Sequence, residues 1–233
     1  MRPLMWMNRA GALVVLTVSM VLLSPPRAAA GPIVDIQDDQ FYSYLWSISY
    51  TLGFKFSVED TITFNALAVF DVQSAAPMEG GSNAPGLNAS HEVGVWDSSG
   101  VLKATATVMP GGPTMRSANS YGIWVYQPLA APVTLTSGDY TIGAFYAANA
   151  DPVMVQQTAL PIAGVTYLGG RFADGSFQMP PNPYPHNRDQ YFGPTMLWVP
   201  PSSTVPEPAS TGLLLAAGLT FLGAGARRRR ARP

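Results

Sequence analysis

The chain has 233 residues, no cysteine and a formal charge of −1. The absence of cysteine excludes disulfides, thiolate metal sites and cysteine nucleophiles, so apolar packing has to supply the stability. The overall charge is an average over basic ends: between Gly31 and Thr204 there are five basic and thirteen acidic residues, a net of −8. A segment so acidic is unsuited to nucleic acid, whose binding rests on neutralising phosphates.

In chain order, Met1–Arg9 carries Arg2 and Arg9, Ala10–Leu23 is apolar, and Ala28-Ala29-Ala30 supplies small residues before Gly31. Charged, greasy and small-residue regions in that order predict a secretory signal peptide over residues 1–30, with cleavage after Ala30. Asp35, Asp38 and Asp39 follow. They read as a solvated acidic turn. Calcium is the one cation their oxygens suit, but the EF-hand glycine and terminal glutamate are missing, and no cofactor is assigned.

Residues 31–200 carry the strand signals of a single all-β domain. Ile48–Val58 alternates strictly, with Ile48, Tyr50, Leu52, Phe54, Phe56 and Val58 on one parity. Period-2 alternation predicts a half-buried strand. Ile62–Val69 begins likewise but changes parity at Leu67, predicting a bulge near Asn65–Leu67 or burial on both faces. His91–Asp97 and Val101–Val108 read as a hairpin around Asp97-Ser98-Ser99-Gly100. Tyr121–Gln127 is a further strand. Pro132–Thr136 leads through a turn at Thr136-Ser137-Gly138-Asp139 into Tyr140–Ala147, and Gly164–Leu168 and Tyr191–Trp198 complete the set. Ser74–Ala89, Met109–Ser120 and Gln178–Arg188 are rich in Gly, Pro and Asn and predict long loops. Many short strands without a 3.6-residue stripe predict an antiparallel β-sandwich, with a jelly roll as the variant arrangement.

Chemistry-bearing motifs are scarce. His91-Glu92 is followed by Val-Gly-Val and no second histidine, so it is no zinc-protease helix; His91 is expected to pack beside Trp96. His186 falls in a loop. No Gly-x-Ser-x-Gly elbow recommends a nucleophile. Glu59, Glu79 and Glu92 are the carboxylates available to a secreted polysaccharide hydrolase, and they read equally well as solvated charges. The domain is therefore expected to be non-enzymatic. Trp96, Trp124, Tyr126, Tyr184, Tyr191 and Phe192 are aromatics that could stack on sugar rings where exposed together.

Residues 201–208 form a linker ending in Val205-Pro206-Glu207-Pro208. An apolar run, Ala209–Ala226, follows, and then Arg227, Arg228, Arg229, Arg230 and Arg232 within residues 227–233. Eighteen residues make a helix of roughly 27 Å, enough for one membrane span. Its strong apolar members contribute about −2 to −4 kcal/mol, while each arginine would cost about 2.5–3.5 kcal/mol at the bilayer centre. The run is thus a marginal anchor with a cytoplasmic stop.

The Pro-Glu-Pro motif, helix and arginines together resemble the sorting signal of PEP-CTERM proteins of Gram-negative bacteria. The resemblance implies an exosortase as processing partner, a membrane-held intermediate, and delivery to the cell surface or an extracellular, biofilm-like matrix. A structural, adhesive or exopolysaccharide-associated role follows, with a permanently anchored surface protein as the alternative. Glu207 would be a recognition residue for the processing enzyme. The central domain is also similar to an uncharacterised β-sandwich family of bacterial surface proteins, through Leu52-Gly53-Phe54-Lys55-Phe56, His91–Asp97, Leu135–Tyr140 and Tyr191-Phe192-Gly193-Pro194.

Overall fold

A computed structural model describes residues 30–37, 43–73, 86–183 and 191–200. The expected signal peptide, the sorting tail with Val205–Pro208 and Arg227–Arg232, and Asp38, Asp39, Glu79, Tyr184 and His186 lie outside the described residues. Among those described there is no helix, and none therefore long and apolar enough to cross a membrane.

The strands are β1 (Gly31–Pro32), β2 (Val34–Ile36), β3 (Ser43–Tyr44), β4 (Tyr50–Val58), β5 (Ile62–Val72), β6 (His91–Asp97), β7 (Leu102–Val108) and β8 (Thr114–Arg116). They continue as β9 (Gly122–Leu135), β10 (Gly138–Tyr146), β11 (Val153–Val155), β12 (Ala159–Pro161), β13 (Val165–Asp174), β14 (Asn182–Pro183), β15 (Tyr191–Phe192) and β16 (Pro194–Trp198). A five-stranded sheet has the order β1-β16-β5-β9-β8, and a six-stranded sheet the order β14-β13-β4-β10-β6-β7. Two small sheets, β15-β11-β3 and β12-β2, complete an all-antiparallel fold. One core joins the main sheets, with Leu52, Phe54, Phe56, Val93, Val95 and Ile142 from one and Phe64, Leu67, Trp124 and Met196 from the other.

The strand signals convert into burial as the pleat requires. Leu52, Phe54, Phe56 and Val58 are at most 1% exposed, whereas Ile48 stands before β4 and is 53% exposed. The parity change in β5 has both of its expected causes. Asn65 is an extra residue opposite β16, where Leu197 pairs Ala66 and Trp198 pairs Phe64, and every residue from Ala66 to Val72 is buried. Opposite the same point β9 bulges outward, pairing Val133 with Phe64 but Pro128 with Ala66. Its two expected pieces, Tyr121–Gln127 and Pro132–Thr136, are therefore one strand.

Long-range pairing supplies what local pattern does not. β9 lies in the five-stranded sheet and β10 in the six-stranded one, so the turn after Thr136 crosses between sheets instead of closing a hairpin. Tyr140 pins that crossing by donating its hydroxyl to the Thr136 carbonyl at 3.0 Å. The expected loop Met109–Ser120 contains the edge strand β8, and Tyr191–Trp198 breaks at Gly193 into strands of two different sheets.

On the outer face of the six-stranded sheet, Gly53, Gly143 and Gly94 are cross-strand partners in β4, β10 and β6. At Gly143 and Gly94 the missing side chains leave a trough in which the segment 175–180 lies, while Gly53 lets the β10 backbone approach. A Cβ on Gly143 would stand 2.9 Å from Pro180 Cδ, and one on Gly94 2.8 Å from the Phe177 ring. Thr51 fastens the segment, donating to the Ser176 carbonyl at 3.2 Å and accepting from the Gln178 amide at 3.3 Å. Close approach of a backbone is what glycine in a strand interior permits.

Candidate functional site

At the end of the six-stranded sheet where β4 begins, four aromatic rings form a continuous row. Tyr44 and Trp46 have centroids 4.4 Å apart, Trp46 and Tyr50 5.0 Å, and Tyr50 and Phe172 6.5 Å. All four are half-buried, with one side packed on the core. β3 pairs with β11 and carries Tyr44, while Tyr50 and Phe172 come from the paired strands β4 and β13. The segment between β10 and β11 braces the row. Asn149, in the left-handed region at φ 55°, donates its amide to the Trp46 carbonyl at 2.8 Å. Asparagine tolerates that conformation better than most residues.

Beneath the row lies a buried polar knot. Tyr146 pairs with Tyr50 across β10 and β4, and its ring stands 4.5 Å from that of His91. His91 is fully buried; Nδ1 lies 2.9 Å from the Phe145 carbonyl and Nε2 3.1 Å from Asp151. Both ring nitrogens are thus engaged by protein oxygens. Asp151 also accepts from the Asn88 amide at 2.7 Å, the Asn88 side chain at 3.0 Å and the Ala89 amide at 2.9 Å. Burial works against its ionisation, but the His91 and Asn88 hydrogen bonds outweigh it and hold the carboxyl below its ordinary range. Asp71, buried and hydrogen-bonded by Gln73, shifts the other way. Burial raises it, Gln73 partly offsets this, and the charge on Asp151 adds to the rise. Burial, reinforced by Asp151, also pushes the Tyr146 phenol well above its usual value.

Asp35 forms a second knot. Its carboxylate accepts from the Trp124 indole at 2.9 Å, the Ile36 amide at 2.9 Å, the Ser117 hydroxyl and the Ala118 amide at 2.8 Å. Four protein donors occupy the oxygens that a cation at this residue would use. No group of three or more acidic or histidine residues able to hold a metal occurs among the described residues.

Other sequence-nominated residues separate widely. Glu59 and Glu92 are exposed near opposite ends of the six-stranded sheet, one residue beyond the Val58–Gly138 and Val93–Ala144 pairs. At 3.3 Å per residue that puts them about 25 Å apart along the strands, beyond the roughly 9.5 Å that glycoside hydrolysis can use. The expectation that His91 packs beside Trp96 fails on parity: residues five apart in a strand face opposite ways. His91 points into the core, while Trp96 lies on the outer face against Phe177, centroids 5.4 Å apart. Of the nominated aromatics, Trp124 is fully buried and Trp96 nearly so; Tyr126 is half-buried against the core. Tyr191 and Phe192 form β15, and Tyr184 lies outside the described residues. The row Tyr44–Trp46–Tyr50–Phe172 is barely legible in the sequence. Its one local signal is the aromatic spacing of Tyr44, Trp46 and Tyr50; Phe172 joins through sheet pairing.

The fold thus defines a cysteine-free, all-β protein of antiparallel sheets with a buried polar knot beneath a row of four half-buried rings. Residues 204–230 match the family model of the PEP-CTERM protein-sorting motif, so the chain carries the signal of an exported, cell-surface protein processed by an exosortase. No curated protein and no solved structure matches the chain.

Proposed function

We propose that this is a non-enzymatic surface or matrix protein that adheres to exopolysaccharide through the Tyr44–Trp46–Tyr50–Phe172 row. The observation that carries the reading is the row itself: four contiguous, half-buried rings at one end of the sandwich. Rings held rigid by packing on a core suit the apolar faces of pyranose units, at little entropic cost. The non-enzymatic part is supported by the occupied nitrogens of His91 and by the separation of Glu59 from Glu92. In the same reading Ala209–Ala226 is a temporary membrane anchor stopped by Arg227–Arg232, and processing near Pro206-Glu207-Pro208 releases the domain to the surface.

The test is affinity electrophoresis of the exported protein through gels containing the producing cell's own exopolysaccharide. Trp46→Ala should weaken binding at least tenfold, about 1.4 kcal/mol, while Tyr126→Ala, a half-buried ring elsewhere, should not. Equal retardation of the two variants would remove the row from binding. Failure of the wild type to bind any sugar would leave a purely structural role.

A further inference from the structure

We infer that β7 is a self-association edge, through which two copies of this chain join their six-stranded sheets into one continuous antiparallel sheet. The two main sheets have four edges among the described residues: β1, β8, β14 and β7. β1 and β14 are two residues long and carry Pro32 and Pro183, and β8 is three residues long and carries Arg116. Short strands, prolines and charges are the devices that stop an edge from recruiting another strand. β7 has seven residues, Leu-Lys-Ala-Thr-Ala-Thr-Val, with no proline. Its one charge, Lys103, sits in the bulge between Leu102 and Ala104 and turns back to Asp97 at 3.8 Å. The bulge leaves Ala104–Val108 regular against β6.

Self-complementarity and exposed apolar surface argue for a second copy as occupant. An antiparallel copy centred on Thr105 sets Thr105 against its equivalent and Ala104 against Ala106. Threonine pairs of this kind are favourable across strands. Lys103 then faces Thr107 of the second copy, beside which Glu92 of that copy stands exposed in β6. The two lysines fall on opposite sides of the axis, about 13 Å apart at 3.3 Å per residue, so no like charges meet. The arrangement also brings the 101–102 end of one strand alongside the 108–109 end of the other. Val101 (55% exposed), Leu102 (44%) and Met109 (52%) lie at those ends, three of the six exposed large hydrophobics among the described residues. A contact of this kind is isologous and closes as a twofold dimer.

The absence of cysteine allows a direct test on the full chain in detergent micelles. Thr105→Cys, treated with a short bismaleimide, should cross-link to a covalent dimer, whereas Thr166→Cys, exposed on β13 in the same sheet, should not. In sedimentation velocity at micromolar concentration the wild type should show a reversible dimer. Thr105→Lys, which sets like charges face to face on the axis, should weaken it at least tenfold. Melting under dilute, monomeric conditions reports separately on loss of the Thr105 hydrogen bond to the Val93 carbonyl. A wild type monomeric throughout, or equal cross-linking at positions 105 and 166, would overturn the proposal. So would a dimer indifferent to Thr105→Lys.

Discussion

Asp35, half-buried, and Asp151, buried, both sit in hydrogen-bond knots, yet the knots are built from different partners. Asp35 draws on an indole, a hydroxyl and backbone amides, all neutral donors. Asp151 draws on amides and on a buried histidine. Each closes a long stretch of chain, Asp35 to Trp124 across 89 positions and Asp151 to Asn88 across 63. In a protein without cysteine these carboxylates occupy the place of cross-links, fastening segments that the strand ladders leave loose. Only the Asp151 knot fastens its segment with a second titratable group, and that difference separates how the two should fail.

The largest effect is expected from Asp151→Ala. It removes four hydrogen bonds and leaves His91 Nε2 and the Asn88 and Ala89 amides without their partner, at a cost of about 3–5 kcal/mol in all, at about 1–3 kcal/mol per unsatisfied buried group. Against a total stability of about 5–15 kcal/mol, that is enough to loosen the end of the sandwich. Equilibrium urea denaturation measures it, and a loss below 1 kcal/mol would show that the pair bears little of the stability. Asp35→Ala leaves the Trp124 indole without its acceptor, but at a half-buried site. About 2–3 kcal/mol should be lost in the same titration, from an unsatisfied buried donor and missing turn contacts. A cost equal to that of Asp151→Ala would erase the distinction between the knots.

Neither knot could be read as such from the sequence, and the reason is physical. Period-2 alternation reports which way a side chain points, and it served for β4, for β6 and for the irregularity in β5. Partners across sheets are invisible to it. Asp35 reads as part of an acidic turn because three of its four donors lie 82 to 89 positions away. Proximity in one short strand suggests that His91 packs beside Trp96, although parity groups it with Val93 and Val95. The glycine trough is similar: Gly94 and Gly143 are unremarkable until register sets them side by side under Phe177 and Pro180. The tail is the opposite case, since its motif, apolar run and arginines are contiguous and need no partner to be recognised.

The smallest effect is also the sharpest test of the difference between the knots, because it concerns sign. Asp151 titrates below its ordinary value of 3.8, so its stabilisation is complete above that pH and fades as pH falls through the folded-state value. Asp71, packed near it, titrates above 3.8, so its contribution is complete below that pH and is lost as pH rises through its own raised value. Asp71→Asn keeps an acceptor for Gln73 and removes the ionisation. The variant should gain on the wild type as pH climbs from 3.8 toward neutrality, and the gain should then level off. Asp151→Asn should behave conversely, its deficit shrinking as pH falls below 3.8. Denaturation midpoints of the three proteins across the acid range read both slopes. If the wild type and Asp71→Asn ran parallel throughout, Asp71 would not titrate above its ordinary value, and neither burial nor the charge on Asp151 would raise it.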